Sequence, residues 1–201
     1  ESIAQRFKEL FTEKDMAGDL EIVMSILSNY TPDSRVKVSV SCPVTKMATD
    51  GFSGEDFCRR FAAAVRMAAL SVDRAVTHNK GIMNGVDAVI VATGNDFRAV
   101  EACAHAYAAR DGQYTSLSQA WVENDEFHFA MEIPMAVGTV GGLTRLHPLA
   151  ALSMELLGNP SAGQLMEIAA CVGLAQNFSA VRSLITVSYT HLRAHETCAD
   201  L

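Results

Sequence analysis

The run Thr77-His78-Asn79-Lys80-Gly81-Ile82-Met83-Asn84-Gly85 sets an ammonium, an imidazole and two amides among glycines, with Arg74 just upstream. A lysine is a compact point charge suited to an oxyanion developing on a carbonyl, and an arginine forks onto a carboxylate. The set is therefore a candidate site for an anionic carbonyl substrate. The same spacing fits a solvated surface loop, because short polar motifs recur by chance. Asp96 closes the run Thr93-Gly94-Asn95-Asp96, where it can cap a helix beginning at Phe97. A carboxylate there is kept ionised by the helix N-terminus and could hold a neighbouring Lys80 charged. Lys80 and Asp96 are accordingly expected within hydrogen-bond or salt-bridge reach.

Other motifs carry less. Gly138-Thr139-Val140-Gly141-Gly142 lacks the strand-then-helix setting of a phosphate cradle and reads as a tight turn. His105, His128 and His147 stand singly and read as structural or surface groups. His191 and His195 have the i, i+4 spacing of a zinc pair, but no carboxylate follows the first and no third ligand is near, so no metal site is expected.

The elements that must position these residues follow from periodicity. Ser2 to Leu27 reads as two amphipathic helices broken near Gly18, the second carrying Leu20, Val23, Ile26 and Leu27. Val36, Val38, Val40 and Cys42 alternate with polar residues as a half-buried strand ending at Pro43. Ser53 caps a helix to about Leu70 with Phe57, Phe61, Val65 and Ala68 inward. Asp73 to Gly85 reads as a polar loop feeding a short buried helix, Met83 to Ala92, and Asp96 starts another helix. Tyr114 to Val122 and Phe127 to Ile133 read as an antiparallel pair around Glu123-Asn124-Asp125-Glu126. Pro148 opens a helix carrying Leu149, Leu152 and Leu156, and a last helix takes Leu165, Ile168, Val172, Ala175 and Leu184 onto one side. Helices with a few strands and no regular alternation predict an α+β fold rather than a doubly wound sheet.

Composition narrows the partners. In 201 residues, 49% are apolar and 19% charged, which excludes disorder and coiled coil. The net charge of −7 has the wrong sign for a phosphodiester partner, so no nucleic acid is expected. The most apolar stretches are interrupted by Arg66 and Asp87 well short of the roughly 20 residues a bilayer span needs, so no membrane is expected. Five cysteines, an odd set without C-x-x-C, suit free thiols in the cytoplasm.

The run from His78 to Ala108, H-N-K-G-I-M-N-G-V-D-A-V-I-V-A-T-G-N-D-F-R-A-V-E-A-C-A-H-A-Y-A, resembles the 3-hydroxy-3-methylglutaryl-CoA (HMG-CoA) reductase family, in its soluble prokaryotic class II form. I-L-S-N-Y, I-P-M-A-V-G-T-V-G-G, H-P-L-A-A-L-S and G-L-A-Q-N-F-S-A-V-R-S-L extend the likeness over about Leu20 to Thr186. The resemblance implies reduction of a CoA thioester to an alcohol, HMG-CoA to mevalonate plus CoA, by two hydrides from NAD(H) or NADP(H), without metal. It implies that Lys80 and Asp96 are catalytic, that Arg74 holds the substrate carboxylate, and that Asn84 and Gln176 line the pocket. It implies a homodimer or higher homo-oligomer with the site at the interface, and hence bare apolar surface on a single chain.

By the same resemblance, residues 1–30 are helices leaving a cofactor-binding small domain that is not in this sequence, which leaves the cofactor-binding residues unassigned. Residues 31–186 are the central part of the helix-rich substrate-binding domain. Residues 187–201, S-Y-T-H-L-R-A-H-E-T among them, read as a foreign, adapter-like tail, with Arg193 where the family's catalytic histidine is expected. The family's catalytic glutamate also falls outside the chain. The 201 residues are thus expected to lack turnover alone. The alternative is a non-redox acyl-CoA-binding subunit or remnant completed by another chain.

Overall fold

A computed structural model describes residues 2–13, 21–49, 51–142 and 146–186. The expected α+β architecture is present: six helices and one three-stranded antiparallel sheet among the described residues. The elements are α1 (Ser2–Glu13), β1 (Arg35–Pro43), α2 (Gly54–Leu70), α3 (Val72–Ala92), α4 (Phe97–Ala108), β2 (Ser118–Glu123), β3 (Glu126–Pro134), α5 (Pro148–Leu156) and α6 (Ala162–Thr186).

The sheet order is β1-β3-β2, with Val36 opposite Ile133, Val40 opposite Phe129 and Ala120 opposite Phe129. The β2–β3 turn forms where expected. Asn124 and Asp125 take φ of 51° and 61°, the left-handed pair that matches the twist of a two-residue hairpin. β2 starts later than its alternation suggested. The side chain of Asn79 accepts from Leu117 N–H and donates to Thr115 C=O, so those groups are unavailable to a ladder.

The core lies between one sheet face and α2, α3 and α6. Phe61 is its centre, edge-on to Phe127 and Phe129 at 5.3 and 5.2 Å and stacked on Phe178 at 5.0 Å. Ser53 accepts from Asp56 N–H and caps α2 as expected. Ser71 both ends α2, donating its N–H to Met67 C=O, and caps α3 by accepting from Arg74 N–H.

Four expectations are corrected. Asp73 to Gly85 is not a loop but the first two thirds of the 21-residue helix α3. Its polar residues fall on both faces because the inward ones have partners, and Gly85 serves a helix crossing rather than a turn. Residues 21–30 form no helix: Val23, Ile26 and Leu27 are exposed, and an apolar stripe with nothing to pack on cannot hold so short a helix. On α5, Ala150 and Met154 face inward while Leu149, Leu152 and Leu156 face out. On α6 the buried stripe is Leu165, Ala169, Gly173, Asn177 and Val181, leaving Val172, Ala175 and Leu184 exposed. α6 alone among the described helices is long and apolar enough to cross a bilayer, and that stripe packs it against α3 and the sheet.

Candidate active site

α3 carries most of the candidate residues, and its two faces divide them. Ala75, His78, Asn79, Ile82, Val86 and Ile90 point into the core, while Thr77, Lys80, Asn84, Ala88 and Val91 form the exposed stripe. The expectation that the whole Thr77 to Gly85 run faces a ligand is therefore corrected: His78 and Asn79 are 4% and 0% exposed and belong to a buried polar knot. Ser118 Oγ donates to Asn177 Oδ1 at 2.9 Å and so accepts from His78 Nε2–H at 2.7 Å, and Asn177 Nδ2 reaches back to the His78 carbonyl at 3.4 Å. With Asn79 holding the approach to β2, the knot fixes α3 in rotation and register against α6 and the sheet. Burial, helped by the nearby Arg74 charge, pushes the His78 imidazole down to about 4, so it is neutral in the folded protein.

Lys80 and Asn84 are one helical turn apart on the exposed stripe. Gln176 comes beside Gly85, the next residue along α3 from Asn84, because α3 and α6 cross at glycines. A methyl group on Gly85 would lie 2.7 Å from the Val172 carbonyl oxygen and 3.0 Å from Gln176 Cβ, and one on Gly173 would lie 2.7 Å from Val86. Gln176 is exposed on the crease so formed. Arg74 is half-buried, close enough to His78 for its charge to be felt there.

Asp96 is placed differently. It caps α4, accepting from Ala99 N–H at 3.1 Å, and its side chain is exposed. Among the described residues no ion pair joins it to Lys80. About 18 Å of helix rise separates Lys80 from Ala92, and side chains lean towards the helix N-terminus, away from the Asp96 corner. The corner itself is ordered by Asn95, whose N–H donates to Ile90 C=O and whose Oδ1 accepts from Gly138 N–H at 2.7 Å. The glycine-rich segment is thereby tied beside Asp96, with Gly141 and Gly142 at φ of 85° and 55°, the turn expected there.

Two further charged groups escaped sequence reasoning. Asp87, on the Lys80 side of α3, has a buried Oδ1 with no hydrogen-bond partner among the described residues. Burial and the adjacent Glu101 of α4 push its carboxyl up to about 7. Glu132, on the outer sheet face, accepts from the Tyr107 hydroxyl, from Arg35 at 3.1 Å and from Lys37 at 2.9 Å, and is held down at about 2, the Tyr107 bond contributing most. Asn177 was missed too, although a polar residue within the i, i+4 ladder of Leu165, Ala169, Gly173 and Val181 is a readable sign of a buried, partnered amide. The remaining histidines behave as expected where they are described: His105 pairs with the Tyr114 hydroxyl at 2.8 Å and His128 stacks on Trp121. Cys42, Cys58, Cys103 and Cys171 are free thiols. The described residues contain no group of three metal-ligating side chains. His191, Arg193, His195 and the segment from Val187 lie outside the described residues.

The family model for hydroxymethylglutaryl-coenzyme A reductase matches residues 1–199. The 3-hydroxy-3-methylglutaryl-coenzyme A reductase of Archaeoglobus fulgidus is 46% identical over 149 residues, 73% of this chain and 34% of that protein. A probable reductase of the same name from Borreliella burgdorferi is 32% identical over 197 residues, 96% of this chain and 45% of that one. Among solved structures, the Streptococcus pneumoniae reductase superposes with a TM-score of 0.77 at 44% identity, over 81% of this chain and 44% of that chain. The class II enzyme from the same organism, bound to NADPH in open conformations, gives 0.78 at 45% identity, over 82% and 45%. The chain thus spans less than half the length of these relatives.

Proposed function

The chain belongs to the hydroxymethylglutaryl-coenzyme A reductase family, and from that premise we propose that it forms the substrate-side part of a cytoplasmic enzyme interconverting HMG-CoA with mevalonate and CoA. The observation that supports this most is the crossing of α3 and α6, where Gln176 comes beside Gly85 on a helix that presents Lys80 and Asn84 outward and is locked by His78 and Asn79. In this reading Lys80 Nζ sits at the thioester carbonyl and offsets the negative charge that appears on its oxygen as the carbon becomes tetrahedral. Arg74 forks onto the free carboxylate at the other end of the acyl group, fixing its orientation. Asn84 and Gln176 hydrogen-bond the acyl oxygens between them.

When bound, NAD(H) or NADP(H) supplies the hydride. The Gly138 to Gly142 turn does not fit that dinucleotide as a phosphate cradle, because the Gly138 N–H is already taken by Asn95 Oδ1. The 201 residues alone are expected not to turn over.

Asp96 enters through a second copy. Ala88 is midway in number between Lys80 and Asp96 and is small and exposed on the same stripe. Two α3 helices crossing antiparallel at Ala88 place Lys80 of one subunit opposite Asp96 of the partner subunit, where the carboxylate keeps the ammonium charged. Bare apolar side chains flank that crossing: Val91 is 56% exposed, Leu149 67% and Leu156 79%.

The test is calorimetric binding of HMG-CoA to the purified chain. Arg74→Ala and Lys80→Ala should each weaken binding at least tenfold, while Asp73→Asn, on the same helix but outside the crease, leaves it unchanged. Equal affinity for the wild type and Arg74→Ala would remove the acyl group from this site.

A further inference from the structure

Asp87 and Glu101 are equidistant in number from Gly94, whose φ of 72° turns α3 into α4, and their side chains meet across that helix pair. Asp87 Oδ1 is shut off from solvent, and no group among the described residues donates to it. The side chain within hydrogen-bond reach of its carboxyl is the carboxyl of Glu101, and burial with that neighbour holds Asp87 up at about 7. Carboxylate oxygens only accept, so two carboxyl groups bond to one another only with a proton between them. Other charges stand apart. On α3, Lys80 lies two turns back and is exposed. On α4, Arg98 is exposed and His105 is taken by the Tyr114 hydroxyl. α6 packs on α3 at Gly173 with its Glu167 and Arg182 exposed, and His147 and Glu155 of the α5 segment are exposed too. Glu101 is the one charge among the described residues felt at the Asp87 carboxyl.

We propose that Asp87 and Glu101 share a single proton, and that this proton latches the start of α4 onto α3. While it is held, the pair carries one negative charge and the α4 turn that Asp96 caps stays against α3. When it passes to solvent, two carboxylates face each other in a site partly closed to water, and their repulsion is relieved by parting. The first inward side chain of α4 is Val100, beside the pair, since Phe97 and Arg98 are exposed. The first turn of α4 thus has little apolar cover to resist that repulsion. The helix so moved carries Asp96, and the latch makes the placing of that carboxylate depend on pH near neutrality. The inference stands on the two carboxyl groups and not on the reaction assigned to Lys80, so it is tested without substrate or turnover.

The experiment compares the 201-residue chain with its Asp87→Asn and Glu101→Gln variants, each of which puts a permanent amide donor where the shared proton lies. Infrared difference spectra between about pH 6 and 8 read the protonated carboxyl stretch, because ordinary carboxyl groups are already ionised there. Wild type should lose one such band over this rise, and neither variant should show it. Over the same range, amide-exchange protection from Ala99 to Ala104 should fall at least tenfold in wild type relative to the α2 amides from Phe57 to Val65, and stay level in both variants. The two variants are independent, so one that fails to fold leaves the other to decide. Absence of the carboxyl band in wild type at the acid end overturns the shared proton. A band that titrates while α4 keeps its protection overturns the latch. A fall that persists in either folded variant assigns it to another group and overturns the proposal as well.

Discussion

At the scale of single residues, the polar knot that fixes α3 holds a histidine that stays neutral until the pH falls to about 4. The unfolded chain takes up a proton on His78 near pH 6.5, whereas the folded protein resists until about 4. The contribution is complete above the unfolded value and is lost as pH falls towards 4, a swing of about 3 kcal/mol at most. Asp87 acts in the opposite sense. Its folded carboxyl keeps a proton to about 7, so its contribution declines as pH rises from the ordinary carboxylate range. The clean measurement is a difference: His78→Gln keeps a donor for Ser118, and denaturant unfolding of this variant should be flatter than wild type between pH 6.5 and 4. Parallel curves would show that the imidazole is solvated. Glu132→Gln should lower stability at pH 7 by about 1–3 kcal/mol, because the Tyr107 hydroxyl, Arg35 and Lys37 lose a charged acceptor.

At the scale of elements, α3 shows where local signals mislead. Its two glycines and polar run carry the composition of a loop, yet Gly85 is there because α6 passes too close for a methyl group, and His78 and Asn79 are inward because residues far along the chain satisfy them. Those partners are invisible to a window of neighbouring residues. Strand β1, the Ser53 and Asp96 caps and the β2–β3 turn were legible, since capping and alternation depend on residues a few positions apart. The helical glycines separate in a paired test. Gly81→Ala meets only the Asn177 amide at 4.0 Å and should gain up to about 1 kcal/mol from helix propensity. Gly85→Ala must displace the Val172 carbonyl and should cost about 1–3 kcal/mol while weakening HMG-CoA binding through Gln176. A Gly85→Ala protein as stable as wild type would mean the helices cross farther apart.

At the scale of the whole molecule, Lys80 and Asn84 share the exposed stripe of α3 and Gln176 lies at the crossing of α3 with α6, while among the described residues no ion pair joins Lys80 to Asp96. A polar loop from Asp73 to Gly85 feeding a short helix would leave Lys80 free to approach Asp96, whereas the continuous helix α3 holds the two apart. The outward leucines of α5 carry the corresponding prediction. Leu149→Glu with Leu156→Glu should abolish concentration-dependent association in sedimentation while leaving the melting temperature within a few degrees, as both side chains are exposed. Association that survives the double change would place the subunit contact elsewhere. The buried knot also has a bearing on biosynthesis. His78 meets Ser118 and Asn177, 40 and 99 positions later, so a nascent chain has already made Lys80 long before anything exists to aim it. The proposed recognition of a thioester should therefore switch on late in translation, once α6 has cleared the ribosome.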